Sequence, residues 1–223
     1  MTDEPTGFLY PFIEAEERDA PALLADLAAS ARGKIADSEA LRATTVQRSG
    51  ATLRAAGEAM AHRFRHGGRL FTFGNGGSAT DAEGTAELFR APPAGRTLPA
   101  LSLVDDLAVL TALANDVGYE LVFSRQLIAH GRAGDIAIGF STSGNSPNLV
   151  RAFEEADRRG LLTVGFAGYD GGAMARCDAV HHCLVARSDS VHRVQETQDA
   201  LVLALWSVVH ESLDGELDAE VVT

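Results

Sequence analysis

Apolar side chains between residues 12 and 67 recur at three- and four-residue intervals, with Leu23, Leu24 and Leu27 in one run and Leu53, Ala56, Met60 and Phe64 in a later one. That period is helical, and the stretch carries no strand signal. Gly33 and the segment ADSEAL (36–41) predict a division into two helices, with Asp37 or Ser38 capping the second and Glu39 in its first turn. Beyond residue 68 the rhythm changes to short apolar runs, RLFTFG, LPALSLV, DIAIGFS, LLTVGFAG and AVHHCLVA, each followed by a glycine-rich or acidic turn and then a helical stretch. Strands that read almost continuously apolar and alternate with helices predict a parallel sheet covered on both faces. The expected fold is α/β: a five-stranded parallel doubly wound sandwich preceded by N-terminal helices. Ligands of such sheets sit at the carboxyl ends of the strands.

The chain is thus read as an N-terminal helical segment (1–67), the sandwich (68–213) and an acidic, frayed tail (214–223). The apolar stripes of the first segment exceed what one sandwich can cover, so they are expected to pack between subunits of a homo-oligomer. A formal net charge of −12 removes long-range attraction to nucleic acid or to an anionic membrane as a basis for function. The densest basic stretch, HRFRHGGR at 62–69, reads as a solvated helix end. The two cysteines, Cys177 and Cys183, form no CxxC pair, which gives no sign of a disulfide framework or zinc knuckle and fits a reducing cytoplasm. The opening MTDEPTGFLYPF lacks the basic start and apolar run of a signal peptide, and no window reaches the roughly eighteen apolar residues of a membrane span. A soluble, cytoplasmic protein is expected.

Two polar loops follow predicted strands. In the first, FGNGGSATDAEGTAEL (73–88), Gly74, Gly76 and Gly77 allow a sharp turn and close approach to a ligand, and Ser78 is expected at the helix start with its hydroxyl and N–H facing outward. The GxGxxG spacing of a dinucleotide site is not met. In the second, GFSTSGNSPNLV (139–150), Ser141, Thr142, Ser143 and Ser146 supply hydroxyl donors just where a helix begins. A turn alone would need one Gly or Asn. Hydroxyls together with helix N-terminal N–H groups suit an anion, most often a phosphate.

Four motifs in order, GNGGS (74–78), LANDVGYELVFSRQL (113–127), STSGNS (141–146) and RVQE (193–196), resemble the sugar isomerase (SIS) family, and within it the phosphoheptose isomerases, over about residues 40–212. The resemblance implies a five-stranded parallel sandwich, a homotetramer built through N-terminal helices, and a phosphorylated sugar bound between subunits. By the same resemblance Ser141, Thr142, Ser143 and Ser146 hold the phosphate. Asn75 and Ser78, on the loop with Gly76 and Gly77, meet the sugar. Asp116 matches a position facing substrate hydroxyls, and Gln195 one that ligates metal or substrate. Read without the family, Asp116 is an acidic helix end and Gln195 a surface residue.

The chain departs from the family where catalysis is concerned. There a His, a Glu four residues later and a His eight residues beyond the Gln supply a metal site and the catalytic pair. Counted without a gap, those positions are Gly84, Leu88 and Leu203. A one-residue deletion inside DAEGTAEL instead aligns Glu83 and Glu87, restores the AEL triplet and puts both carboxylates on one helical face. Glu87 is then the candidate base. A divalent metal such as zinc is implied by the family, but its usual histidine ligands are missing, so no cofactor is assigned. His192 and His210 read as structural, and His181-His182-Cys183, on a strand, offers at most two ligands per face. Two functions follow: a phosphosugar aldose–ketose isomerase with an altered active site, or a non-catalytic regulator or sensor that binds a phosphosugar or a protein.

Overall fold

The computed structural model of the chain describes residues 20–215. The expected helical residues 12–19 and tail residues 216–223 lie outside the described residues. The chain divides into two compact units, residues 1–39 and 40–223. Helix α1 (Ala20–Arg65) runs through the boundary as one element of 46 residues. The expected break at Gly33 and ADSEAL does not occur. A lone glycine costs a helix only about 1 kcal/mol, and the alanines, arginines and leucines around it are strong helix formers. Polar residues inside the helix are accommodated locally: the Thr44 hydroxyl donates to the carbonyl oxygens of Ala40 at 2.9 Å and Leu41 at 3.0 Å.

In the second unit the five predicted strands all form: β1 (Leu70–Gly74), β2 (Ala100–Ser102), β3 (Ile136–Ser141), β4 (Leu162–Gly168) and β5 (His182–Ala186). They make one all-parallel sheet in the order β2-β1-β3-β4-β5. Between them lie α2 (Gly77–Arg90), α3 (Leu107–Asp116), a single turn at Tyr119–Leu121, α4 (Val122–His130), α5 (Pro147–Arg158), a turn at Met174–Arg176 and α6 (Val191–Gly215). Among the described residues no helix is long and apolar enough to cross a membrane.

Alternate strand residues feed two separate cores. On one face Leu70, Ile138, Phe140 and Val164 meet Met60 and Phe64 of α1, Phe89 of α2 and Leu205 of α6. On the other, Phe71, Phe73 and Ala137 meet Phe123 of α4 and Phe153 of α5. The Phe73 ring centroid lies 5.4 Å from that of Phe123 and 5.2 Å from that of Phe153. These rings close over Gly139 in the middle of β3. A Cβ there would stand 2.6 Å from Cζ of Phe153 and 2.7 Å from Cε2 of Phe73. Gly139→Ala should therefore lower unfolding free energy by about 1–3 kcal/mol through overpacking. Urea denaturation measures this, and an unchanged midpoint would show that the aromatic cluster yields freely.

Candidate functional site

The strand order reverses between β1 and β3. The chain leaves β1, crosses to the edge strand β2, and returns to pair β3 on the other side of β1. Crossovers diverging to opposite faces open a crevice at the carboxyl ends of those two strands. Both polar loops start there.

In the first loop, Gly74 ends β1 so tightly that a Cβ would lie 2.2 Å from the Ser78 carbonyl oxygen. Gly76 takes φ 58, and α2 begins at Gly77. Because the helix starts one residue before Ser78, that serine does not face outward as expected. It is buried, and its N–H donates to the Asn75 carbonyl at 3.1 Å.

The second loop is tied to itself. Ser141 and Ser146 share a hydrogen bond of 3.1 Å between their hydroxyls, and Ser141 Oγ also accepts the Gly144 N–H at 3.1 Å. Ser143 Oγ accepts the Asn145 N–H at 3.2 Å. Asn145 in turn accepts the Ala173 N–H at 2.8 Å, which braces the loop against the segment after β4. Gly144, at φ 66, allows this contact, since a Cβ would meet the Gly171 oxygen at 2.1 Å. Of the Ser141–Ser146 pair only one hydroxyl donates to the other, so one O–H stays available, as does that of Ser143, whose oxygen is an acceptor here. Thr142 and Ser143 are half-buried at the loop apex.

Side chains join the two loops. Asn75 and Asn148 exchange carboxamide hydrogen bonds, each 2.9 Å, and Tyr119 donates to Asn75 Oδ1 at 2.8 Å. Gln195, in the second turn of α6, lies so close to the first loop that a Cβ on Gly77 would stand 2.7 Å from its Nε2. Its amide donates to Asp81 Oδ2 at 3.2 Å. Asp116 is exposed in the last turn of α3 and accepts from neighbouring Asn115 at 2.9 Å. It is Tyr119, three residues on, that ties this segment to the loop.

Beside Gln195, α2 and α6 frame a cleft of about 480 Å³ whose wall includes Asp81, Gly84, Leu88, Asp199, Val202 and Leu203. Gly84, Leu88 and Leu203, the positions counted without a gap, thus meet in one place. Glu87 lies on the adjoining face of α2, in a second cleft with Glu83, Arg90 and Asp105. Its carboxylate is exposed and paired with Arg90 at 2.5 Å. Burial pushes the Asp81 carboxyl up to about 6, and the charge of Asp199 adds to this while the Gln195 hydrogen bond opposes it. Asp199 is raised too, by burial and by Glu196.

The donors in this cleft do not suit zinc. Its lining offers two aspartates and neither imidazole nor thiolate, short of the three or four protein ligands that zinc takes, and among the described residues no cluster of three or more His, Cys, Asp or Glu could hold a metal. Two of the histidines are engaged elsewhere. His181 is held by Thr163 at 2.7 Å and Asp157 at 3.1 Å, and His210 points its ring nitrogens at the Trp206 and Arg96 carbonyl oxygens at 2.9 and 3.0 Å. Tyr119, Asn148, Asp81 and Asp199 did not emerge from the sequence. Asn148 had one available signal, an amide in the first turn of the helix after the serine loop.

A family model described as SIS domain matches residues 35–168. The phosphoheptose isomerase of Roseiflexus sp. (strain RS-1) is 40% identical over 174 residues, covering 77% of this chain and 87% of the relative. That of Desulfovibrio desulfuricans is 46% identical over 151 residues, covering 67% and 70%. Among solved structures, phosphoheptose isomerase GmhA from Neisseria gonorrhoeae superposes with a TM-score of 0.76 at 32% identity, covering 82% of this chain and 98% of that one.

The Asp81 carboxyl yields a prediction with a definite sign. Its folded value of about 6 lies above the ordinary carboxylate value of 3.8, so the folded state binds the extra proton and stability from this group is lost as pH rises through that window. Asp81→Asn should therefore gain stability over the parent between pH 4 and pH 7. Parallel urea titrations at several pH values test this, and a difference independent of pH would mean that Asp81 titrates like a solvated carboxylate.

Proposed function

We propose that this chain, which belongs to the SIS domain family, is a phosphosugar aldose–ketose isomerase of the phosphoheptose type, acting on sedoheptulose 7-phosphate. The observation that carries this reading is the serine loop Ser141–Ser146, set beside the glycine loop Gly74–Ser78 at the strand-order reversal. Thr142, Ser143 and the free hydroxyl of the Ser141–Ser146 pair would hold the phosphate, and Asn75, Gly76, Gly77 and Ser78 would border the sugar chain. The acidic cleft beyond Gln195 repels a phosphate and accepts sugar hydroxyls, so the ligand has one orientation: phosphate at the serine loop, carbonyl end toward α2 and α6.

Isomerisation moves a proton between neighbouring carbons and needs a positioned carboxylate. Glu87 and Asp81 are the two candidates. Glu87 stands at the position reached by the one-residue gap, but its carboxylate is paired with Arg90 on an exposed face. Asp81 borders the cleft, is fixed by Gln195, and carries a carboxyl poised near neutrality. We assign the proton transfer to Asp81 and keep Glu87 as the alternative. A second reading, a sensor that binds the phosphosugar without turning it over, is favoured by Gly84, Leu88 and Leu203, which line the cleft without a titratable group.

The reading includes a homotetramer assembled through the N-terminal helix, supported by the exposed Leu23, Leu24, Leu27 and Ile35. It also includes a cytoplasmic setting, supported by the free Cys177 and Cys183. Light scattering should return about four times the 23.5 kDa chain mass, and a monomer at micromolar concentration would overturn the assembly.

Turnover of sedoheptulose 7-phosphate by the purified protein tests the activity itself. Asp81→Asn should cost on the order of a hundredfold or more in rate while leaving binding intact, and Glu87→Gln should cost little. The reverse pattern would move the base to Glu87. A parent that binds the sugar phosphate with no turnover would establish the sensor.

A further inference from the structure

The Asn75 carboxamide is engaged by protein more fully than binding a ligand requires. A primary amide offers two lone pairs and two N–H donors. Its Oδ1 accepts from Tyr119 and from Asn148, and its Nδ2 donates back to Asn148, so a single N–H remains for a ligand. The two partners come from different parts of the fold. Asn148, with 2% of its surface exposed, sits in the first turn of α5 beyond the serine loop. Tyr119 stands in the turn after α3, and 50% of it is exposed.

The reciprocal amide pair fixes an edge-to-edge contact but leaves the two loops free to tilt about it. A third hydrogen bond from a separate segment removes that freedom. The flanking Leu113 and Val122 anchor this segment to the core, but the Tyr119 ring is itself half exposed, so burial does not fix where its hydroxyl points, and Glu120, its neighbour, is held at the surface by an ion pair to Arg151 at 2.9 Å. Its ordered hydroxyl contact is therefore with the loop.

We propose that Tyr119 is a positioning residue: its hydroxyl, acting with Asn148, locks the Asn75 carboxamide so that the first loop presents one fixed N–H donor to the sugar portion of a phosphosugar. The inference rests on the phosphosugar reading above. Tyr119 touches Asn75 and need not touch the ligand. It makes the first loop selective for the sugar, while the phosphate is held by the serine loop independently.

The test is Tyr119→Phe, which keeps the ring and removes one hydroxyl. Without ligand, amide hydrogen exchange in residues 74–79 should accelerate several-fold while β3 and β4 keep parent protection. In calorimetry, sedoheptulose 7-phosphate should bind about three- to tenfold more weakly, the size of one lost hydrogen bond, with inorganic phosphate unaffected. Combined with Asn148→Ala, the loss should fall short of the product of the single losses, because both act through the same Asn75 oxygen. Parent-like exchange and affinity in Tyr119→Phe, or strictly multiplicative losses, would overturn the proposal. Failure of the parent to bind sedoheptulose 7-phosphate would instead sink the functional reading and, with it, the selectivity assigned to Tyr119, while the exchange measurement would still decide whether Tyr119 orders the loop.

Discussion

The pairing of β1 with β3 is the constraint on which the site depends. Parallel neighbours end at the same side of a sheet about 4.8 Å apart, so any loops leaving them are forced together whatever their sequence. Here the register aligns Gly74 with Phe140, which places the glycine loop and the serine loop side by side. The helices that follow then diverge to opposite faces: α2 joins the core built on Phe140 and Phe166, and α5 the core built on Phe73 and Phe123. Gly139 lets β3 carry aromatic packing on both sides without pushing β1 away, so the geometry of the crevice is set by the core beneath it.

On this frame the charges divide the crevice in two. The serine loop contains no acid, and its hydroxyls can turn their protons toward an anion at little cost because their oxygens already have donors from the backbone. One helix away, Asp81 and Asp199 concentrate negative charge, and burial answers by raising both carboxyls. Gln195 stands between, giving one N–H to Asp81 and lying against Gly77. A glycine at 77 is needed for that approach, which explains in steric terms why the first loop carries a second consecutive glycine.

The strands, their parallel sense and the two loops were legible in the sequence because each rests on local chemistry: apolar runs, glycines at sharp turns, hydroxyls at helix starts. The continuity of α1 was not. Gly33 is a local break signal and Asp37 or Ser38 a local start signal, but a helix of 46 residues overrides each small penalty with favourable neighbours. The Tyr119–Asn75–Asn148 network was hidden for another reason. Its members are separated by 44 and 73 positions and meet only once the strand order brings their segments together. Spacing along the chain carries no trace of such contacts. Ser78 was misplaced outward because the first glycine available for the helix was taken as part of the turn.

The choice between a gapped and an ungapped reading of DAEGTAEL turns on helix geometry. Each residue advances an α-helix by about 100°, so deleting one inside α2 would rotate everything after it by that angle. Ala82, Ala86 and Phe89 form a buried stripe at spacings of four and three, continuous with Thr85. Phe89, at the end of that stripe, packs against Phe64, with ring centroids 5.9 Å apart. The two readings therefore point to different faces of α2: Gly84 and Leu88, with Leu203 of α6, line the cleft, while Glu87 turns to Arg90. At those three positions the chain carries a glycine and two leucines, none of which can take up or release a proton. The carboxyl on that wall of α2 is Asp81, one turn nearer the glycine loop, fixed by Gln195 and raised by burial to about 6.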